Sequence, residues 1–584
     1  MPRWIGLAIG IGLGSHVHGQ ALQNPGFEDP YVPVSATGIT GDVASGWNDN
    51  TDWVSGVNLV YSKDTGVRRS GLASQKVQVQ AKFAQFVQWM PFSPGRIQAS
   101  IWMRSQNPMW VSLILRGSGF KIYGASTVRL SATWQKVEVG AVCPVDPEGG
   151  LFINTAGTGT LWLDDATYSV SPTLAGAPLK IIPPPSRIPA SFFGIHPSHT
   201  DSPPFLPWPS VPFGTVRSHD CAPKWAQIEP MPPIFGTRQY DWTELDQFVS
   251  KATARGQRVI YTIYQTPPWA TSNIELDPYG SAGGASMPTS VTDYADFVAA
   301  LAARYRGRIH AYEVWNEPDI GFWTGTPAQM ATLANACVAA VQMEDPAATV
   351  IGPPHSGGTA MHGAFDWYER FLLAGGGQGL EAISSHFYSE YPEEDIPKAA
   401  AFRQLLGLWG LRQLPLIHSE TGIGYAGDRT DDEVTAHYAR TMVVNWALGF
   451  DSTSWYQWNE VSKLGVRQNS QGQWTVLTPA AQASGRVLDW LVGSTMTSFA
   501  STSQGLFVAK FSRGPRSRFW VVWSPDQELF WQPPQGAIRA RFLDQADRSL
   551  RTRPTLSIGP TPVRIDIDPL LDARDEGPTD SEAR

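Results

Sequence analysis

The sequence has few cysteines, little charge and no long apolar run in its interior, and each shortage argues against a class of protein. Cys143, Cys221 and Cys337 fall in separate predicted elements, and their odd number leaves at least one free thiol, so no disulfide is predicted. Charged residues make up 16% of the chain, the formal net charge is −8 and no long basic run occurs, which argues against a nucleic-acid partner. Beyond the amino terminus no apolar run reaches about 18 residues, so no membrane span is predicted.

Tryptophan, in contrast, is abundant, with 24 residues. Large aromatic rings beyond the needs of a core suit stacking on sugar rings, so the composition leans towards a carbohydrate ligand. The length of 584 residues predicts roughly three domains, because one hydrophobic core rarely grows to this size.

The amino terminus has the pattern of an export signal. Arg3 supplies a positive charge, an apolar stretch runs from Trp4 to Gly14, and Val17 to Gly19 offers small residues for cleavage. Residues 1–19 are therefore predicted to be a signal peptide, and the mature protein is expected outside the cytoplasm, in the extracellular space or the periplasm.

Two all-β regions flank the centre of the chain. Residues 20–170 contain short alternating runs separated by Gly, Ser and Pro, which predicts a β-sandwich. The proline-rich segment 171–187 is predicted to be a stiff linker. Residues 495–570 return to short strands and predict a second, small β-sandwich, and the polar segment 571–584 predicts a disordered tail.

Residues 188–494 alternate strand and helix and predict a (β/α)8 barrel. Capping boxes that begin at Thr326 and Thr430 mark the starts of two helices. The eight predicted strands are 192–196, 213–217, 258–263, 309–315, 349–352, 382–386, 415–419 and 452–458.

Catalytic side chains of such barrels lie at the carboxyl ends of the strands. The fourth predicted strand ends in Asn316 and Glu317, and the seventh ends in Glu420. Glycoside hydrolysis needs two carboxyl groups at one rim, one to protonate the leaving oxygen and one to attack or to activate water. Glu317 and Glu420 are therefore the predicted catalytic pair, whereas Glu313, inside the fourth strand, is predicted to be paired within the barrel.

Six neighbours are predicted to bind substrate at the same rim. Asn316 is placed to donate to a sugar 2-hydroxyl, and Arg217 adds positive charge. His386 and Tyr388 are predicted to orient Glu420 and keep it ionised. Trp458 is either a floor for a pyranose ring or a core residue. The full predicted set is Arg217, His196, Asn316, His386, Tyr388 and Trp458.

No cofactor and no metal are predicted. His196 and His199 suggest a metal site at first sight, but the carboxylate set that would complete it is missing. A histidine satisfied within the fold, or one that touches sugar, is the favoured interpretation of His196.

Several runs resemble the catalytic strands of clan A glycoside hydrolases, and most closely those of family 39, the β-xylosidase and α-L-iduronidase family. Glu313–Asp319, which reads Glu-Val-Trp-Asn-Glu-Pro-Asp, resembles the acid/base strand. Ile417–Thr421 resembles the nucleophile strand, and His386–Tyr388 resembles the sixth-strand signature. Trp225–Pro230 and Thr266–Trp269 are similar to the early barrel of that family.

This resemblance covers roughly residues 190–570 and implies a retaining, double-displacement mechanism. Glu317 would be the acid/base, and Glu420 would be the nucleophile that carries a covalent glycosyl intermediate. The expected substrate is a β-linked plant or microbial polysaccharide, cleaved internally or from an end. A catalytically inactive carbohydrate-binding or scaffold protein is the competing class, and metal-dependent hydrolysis is a rival enzyme class.

The amino-terminal region resembles a jelly-roll carbohydrate-binding module. Asn24–Glu28 near its start and Leu161–Asp165 near its end carry the resemblance. Such modules often hold a structural calcium near these acidic ends, which remains an open option here. The candidate stacking residues are Trp47, Trp53, Trp89 and Trp110, and a spacer domain with buried tryptophans is an equal alternative.

Overall fold

The computed structural model describes residues 21–171, 178–197, 208–357, 364–423, 429–458, 464–472, 474–552 and 554–568. The expected signal peptide at 1–19, the expected tail at 571–584 and His199 lie outside these residues. Along the chain come a β-sandwich, a closed eight-stranded parallel barrel and a second set of β-sheets. The predicted fold class, a (β/α)8 barrel between two β-domains, is confirmed.

The amino-terminal sandwich packs two sheets around one apolar core. The seven-stranded sheet has the order β1-β2-β4-β5-β12-β7-β10, and the five-stranded sheet has the order β3-β6-β11-β8-β9. The strands are Tyr31–Pro33 (β1), Ile39–Ala44 (β2), Asn48–Asp49 (β3), Asn58–Asp64 (β4), Ser74–Ala81 (β5), Gln85–Trp89 (β6), Gly95–Ser105 (β7), Met109–Arg116 (β8), Ile122–Leu130 (β9), Gln135–Cys143 (β10), Gly150–Thr155 (β11) and Gly159–Ser171 (β12).

Two of the four candidate stacking tryptophans are not available for sugar. Trp47 is buried in the sandwich core, between Phe27 and Phe86. Trp110 is buried against the barrel, where its indole Nε1 donates to Glu369 Oε2 at 2.8 Å. The stacking interpretation of these two residues is therefore wrong, and only Trp53 and Trp89 expose their rings.

The sandwich is docked on the side of the barrel. Trp110 meets Phe365 edge to face, with ring centres 5.3 Å apart. Arg129 pairs with Glu369 at 2.6 Å, and the backbone N–H of Ile122 donates to Glu394 Oε1 at 3.0 Å. Strand β8 is almost wholly buried, because one of its faces lies in the sandwich core and Trp110, on the other face, lies against the barrel.

After the two-residue strand Lys180–Ile181 (β13), the barrel strands pair in parallel in chain order, and the first pairs with the last. Their carboxyl ends therefore form one rim. They are Phe193–Ile195 (β14), Thr215–Arg217 (β15), Arg258–Ile263 (β16), Ala311–Val314 (β17), Thr349–His355 (β18), Ala382–Ser385 (β19), Leu416–Thr421 (β20) and Phe450–Trp455 (β21).

Helices surround the barrel, and two of them begin where the sequence predicts. Thr326 and Thr430 each accept from the backbone N–H three residues on, in complete capping boxes. No helix in the described part of the chain is long and apolar enough to cross a bilayer. The helices are Trp225–Ile228 (α1), Thr243–Thr253 (α2), Val291–Arg304 (α3), Pro327–Glu344 (α4), Ala364–Leu373 (α5), Asp395–Leu408 (α6), Asp431–Ala447 (α7) and Pro479–Leu491 (α8).

The carboxyl-terminal domain has a seven-stranded sheet of order β13-β24-β25-β26-β31-β28-β29 and the pair β27-β30. Strand β13 belongs to the proline-rich segment, so part of the predicted linker is an edge strand of this sheet. Before them, β22 and β23 form a hairpin. The strands are Val466–Gln468 (β22), Trp474–Leu477 (β23), Thr495–Ser501 (β24), Phe507–Ser512 (β25), Arg518–Trp523 (β26), Leu529–Trp531 (β27), Ala537–Arg541 (β28), Asp547–Ser549 (β29), Leu556–Ile558 (β30) and Val563–Ile567 (β31).

The three cysteines are all buried free thiols.

Candidate active site

A strained turn at the end of β17 places Glu317 at the rim. Trp315 and Glu317 both have positive φ angles, 65° and 37°, a conformation that costs free energy in residues other than glycine. The buried ring of Trp315 fixes the turn, because its Nε1 donates to the Phe322 carbonyl at 2.7 Å. Tertiary packing therefore holds the backbone that presents Asn316 and Glu317.

Glu420 reaches the same rim from β20, all of whose residues are buried. A carboxylate oxygen of Glu420, one of Glu317 and a ring nitrogen of His386 lie within 4.8 Å of one another. Glu317 is 9% exposed and Glu420 is 7% exposed. The structure thus brings together the two glutamates that the sequence separates by about a hundred residues.

Arg217 is the cation that organises this rim. Its guanidinium is fully buried and donates to Glu420 Oε2 at 2.7 Å, to Asn316 Oδ1 at 2.8 Å and to Glu313 Oε2 at 2.7 Å. Burial alone would raise the pKa of Glu313, but Arg217 together with His386 and Ser419 outweighs burial, and the pKa is lowered. Glu313 is therefore paired inside the barrel, as its position within the strand predicts.

Both oxygens of Glu420 accept hydrogen bonds. Oε2 accepts from Arg217, and Oε1 accepts from the hydroxyl of Tyr388 in a short contact. Two donors, one of them charged, stabilise the ionised form of this carboxyl group.

The expected contact between His386 and Glu420 is replaced by one with the other glutamate. His386 Nδ1 lies 2.9 Å from Glu317 Oε1, and Nε2 lies 2.9 Å from the hydroxyl of Ser419. The reason is geometric: β19 lies next to β20, and the ring of His386 is held by Ser419, one residue before Glu420. Burial lowers the pKa of His386 well below its ordinary value, so the ring is neutral.

His196 lies beneath the pair at the end of β14. Its Nε2 is 3.1 Å from the Ser419 carbonyl and 3.4 Å from Arg217 Nη1. Its Nδ1 is buried with no hydrogen-bond partner among the described residues. Burial lowers the pKa of His196 well below its ordinary value, so the site gains no positive charge from it.

Trp458 does not form the floor of the site. Its ring is 1% exposed and packs in the barrel core, where Gly465 covers it: a Cβ on that glycine would lie 2.4 Å from the ring. Its backbone N–H donates to the His196 carbonyl at 2.9 Å, so the backbone at Trp458 is held next to the end of β14. The half-buried aromatic residue that faces the rim after β21 is Tyr456, whose ring centre is 5.2 Å from that of His196.

Burial raises the pKa of both Glu317 and Glu420 above the ordinary range, and Arg217 opposes the shift. Two buried carboxyl groups at this separation share one proton near neutral pH. Glu420 has a charged donor and a hydroxyl donor, whereas Glu317 bonds to a neutral imidazole. The geometry therefore favours the charge on Glu420 and the proton on Glu317.

A second polar cluster, which the sequence analysis missed, follows β15. His219 Nε2 lies 2.9 Å from the hydroxyl of Tyr279, which donates to Asp220 Oδ1 at 2.7 Å. His219 and Asp220 come two and three residues after Arg217, so a wider search of the strand ends would have found them. Tyr279 comes from the long loop after β16 and had no comparable signal.

In the described part of the chain, one group of His, Cys, Asp or Glu side chains could hold a metal ion, and it is Glu317, His386 and Glu420. A cation there would compete with Arg217, which already occupies Glu420 Oε2. The acidic residues at the ends of the amino-terminal sandwich are engaged with protein donors instead. Glu28 accepts from the backbone N–H of Leu72, and Asp164 accepts from that of Arg69.

No family model matches the sequence, and no curated protein is similar to it. Among solved structures, a family 39 glycoside hydrolase from the gut symbiont Bacteroides cellulosilyticus WH2 aligns at 15% identity with a TM-score of 0.50, covering 80% of this chain and 98% of that one. A family 39 β-xylosidase from Caulobacter crescentus aligns at 17% identity with a TM-score of 0.46, covering 67% and 98%. The first likeness shows a shared fold, so the resemblance seen in the sequence motifs is confirmed for the fold.

Proposed function

We propose that this protein is a secreted, retaining glycoside hydrolase that cleaves β-linked glycosides of a plant or microbial polysaccharide. The observation that carries the proposal is the buried pair of carboxyl groups, of which Glu420 accepts from a cation and a hydroxyl whereas Glu317 contacts a neutral imidazole. Oxygens of Glu317 and Glu420 within 4.8 Å fit the separation of about 5–5.5 Å typical of retaining enzymes better than the wider gap of inverting ones.

In the first step Glu420 attacks the anomeric carbon while Glu317 gives its proton to the glycosidic oxygen. The carbon–oxygen bond to the leaving group breaks, and a glycosyl ester forms on Glu420. In the second step Glu317, now a carboxylate, takes a proton from water, whose oxygen attacks the anomeric carbon and releases Glu420. Each residue thus ends the cycle in its starting protonation state.

Neighbouring donors serve these steps. Arg217 and Tyr388 hold Glu420 ionised and in position for attack. Arg217 also donates to Asn316 Oδ1, which fixes the orientation of the amide and assigns its N–H groups to a sugar 2-hydroxyl. Neutral His386 accommodates Glu317 in both protonation states, because an imidazole nitrogen can donate or accept.

Two further observations support the wider proposal. The structure of similar fold from Bacteroides cellulosilyticus is called a family 39 glycoside hydrolase. Arg3 and the apolar stretch from Trp4 to Gly14 support export, which suits an enzyme that acts on a polymer outside the cell.

The test is covalent labelling together with product stereochemistry. A 2-deoxy-2-fluoro aryl glycoside matched to the substrate should label the wild-type protein once, on the peptide that contains Glu420, and NMR of early product should show retention. Glu275→Ala, which changes an exposed glutamate of a rim loop, should label normally. Labelling elsewhere or an inverted product would refute the mechanism, and glycan binding without any turnover would favour an inactive binding protein.

A further inference from the structure

Asp220 is a buried carboxylate with one oxygen unused. Its Oδ1 accepts from the hydroxyl of Tyr279 at 2.7 Å and lies 3.8 Å from His219 Nε2. Its Oδ2 is buried and has no hydrogen-bond partner in the part of the chain that the structure describes. The residue as a whole is 2% exposed.

An unused carboxylate oxygen in such a place is costly. Burial of an acceptor without a donor loses the free energy of its hydration, and the loss is larger for a charged group. Glu420, at the same rim, has donors on both of its oxygens. Asp220 Oδ2 is therefore an acceptor that lacks a donor, and a bound molecule could supply one.

The position of Asp220 is suited to contact with a substrate. It lies three residues beyond Arg217, whose guanidinium bonds to Glu420. It is held by Tyr279, whose ring is 42% exposed and whose hydroxyl is fixed by His219. The electrostatic influence of Asp220 reaches the catalytic pair, since it contributes to the raised pKa values of Glu317 and Glu420.

The charges around the rim do not favour an anionic sugar. Arg217 is already engaged by the carboxylates Glu313 and Glu420, and Asp220 adds a third negative charge. Two histidines of the rim, His196 and His386, are neutral and add no positive charge.

A second cation of the described residues lies in this region. Lys224 has its ammonium 5.2 Å from the centre of the Tyr279 ring. Among the described residues, the carboxylates Glu313, Glu420 and Asp220 outnumber the cations Arg217 and Lys224.

We propose that Asp220 determines substrate specificity by accepting a hydrogen bond at Oδ2 from a hydroxyl of a neutral sugar in the catalytic cleft and by repelling uronic acids. This inference rests on the proposed hydrolase function. It separates two kinds of glycoside that the catalytic pair itself does not distinguish, because a hexoside and the corresponding uronide share the same anomeric centre.

The experiment compares three aryl β-glycosides that differ only at C5: the xyloside, the glucoside and the glucuronide. A neutral and a uronate-rich β-linked polysaccharide extend the comparison to internal cleavage. The wild-type chain should hydrolyse neutral substrates with the higher kcat/KM. Asp220→Asn should lower kcat/KM for the neutral substrate by about 10- to 100-fold, as expected for a lost hydrogen bond to a charged group, while the uronide changes little or improves.

The ratio of the two kcat/KM values is the informative readout, because a general loss of structure lowers both alike. Asp277→Asn is the matched control: Asp277 is also buried in this region, but its carboxylate accepts from Tyr264 and Gln265 within the protein. That variant should leave the ratio unchanged.

Equal hydrolysis of glucoside and glucuronide by the wild type, or an unchanged ratio in Asp220→Asn, would overturn the inference while leaving the hydrolase proposal intact. Uronide hydrolysis that disappears in Lys224→Met would also overturn it, since Lys224 would then be the recognition group. A wild-type chain that turns over no glycoside and takes no label on Glu420 would overturn both proposals.

Discussion

The barrel rim that holds Glu317 and Glu420 and the amino-terminal sandwich place their polar and aromatic side chains in opposite ways. At the rim, charged groups are buried and bonded to one another, as Arg217 is to Glu313 and Glu420. In the sandwich, aromatic rings fill the core or lie exposed, as Trp47 and Trp53 do. The comparison teaches that buried charge, rather than an abundance of tryptophan, marks the proposed active site of this molecule.

The largest expected effect comes from Glu420, the proposed nucleophile. Glu420→Gly should reduce hydrolysis to background, because the attacking carboxylate is gone while Arg217 and Tyr388 still line the space it leaves. Added azide should restore turnover of an activated aryl glycoside by taking the place of the lost nucleophile. The glycosyl azide product, identified by NMR, should have the inverted anomeric configuration, since only one displacement occurs.

The control for this rescue is Glu275→Ala, which should be neither impaired nor stimulated by azide. If azide instead rescued Glu317→Gly with the same inverted product and did not rescue Glu420→Gly, Glu317 would be the nucleophile and Glu420 the acid/base.

A smaller effect is expected at Glu317, the proposed proton donor. Glu317→Ala should slow substrates with poor leaving groups by about 10²- to 10⁴-fold and dinitrophenyl glycosides much less, because the latter need little protonation. In the wild type, kcat/KM should rise as Glu420 loses its proton and fall as Glu317 loses its own. Since burial raises the pKa of Glu317, the falling limb should lie above the ordinary range of glutamic acid.

The measurement is a pH profile of kcat/KM for both leaving-group classes. Glu317→Ala should lose the falling limb, and equal losses for the two classes would contradict the acid/base assignment.

The sequence predicts the barrel strands and the residues at their carboxyl ends, because a strand and its end have local sequence signals. All eight barrel strands overlap the predicted segments, and Glu317 and Glu420 follow directly from two strand ends. Contacts between distant segments do not have a local signal. The bond of His386 to Glu317 instead of Glu420 depends on how Ser419 holds the imidazole ring, which no spacing reveals.

The environment of an aromatic residue is less evident from the sequence than that of a carboxylate at a strand end. A tryptophan at the end of a strand suits either a core or a sugar platform, and composition alone does not choose between them. Trp458 lies in the core because Gly465 packs against its ring. Trp110 lies in the interface between sandwich and barrel, where it contacts Glu369 and Phe365. Both neighbours come from other parts of the fold.

The contact between sandwich and barrel predicts a change in stability rather than in chemistry. Glu369 accepts from Trp110 Nε1 and pairs with Arg129, so Glu369→Ala leaves two donors of the sandwich unsatisfied. The cost of about 1–2 kcal/mol should lower the melting temperature by about 2–8 °C, with kcat on a small aryl glycoside unchanged. Glu344→Ala, which removes an exposed pair with Arg306, should change the melting temperature little. An unchanged melting temperature in Glu369→Ala would show that the sandwich and barrel melt independently of this contact.

The smallest expected effect tests whether the sandwich contacts glycan at all. Trp53 and Trp89 are exposed and lie near opposite ends of β6, on the order of 15 Å apart, so they form two separate contacts and not one platform. Each stacked ring contributes about 0.5–1.5 kcal/mol to binding. Trp53→Ala and Trp89→Ala should therefore each weaken the retardation of the full chain in a gel that contains its polysaccharide. The double variant should weaken the retardation further. Hydrolysis of a small aryl glycoside, which reaches only the barrel rim, should be unaffected and serves as the control. If the double variant migrates like the wild type in every glycan that retards the protein, the sandwich acts as a spacer, and sugar recognition belongs to the buried charges of the rim alone.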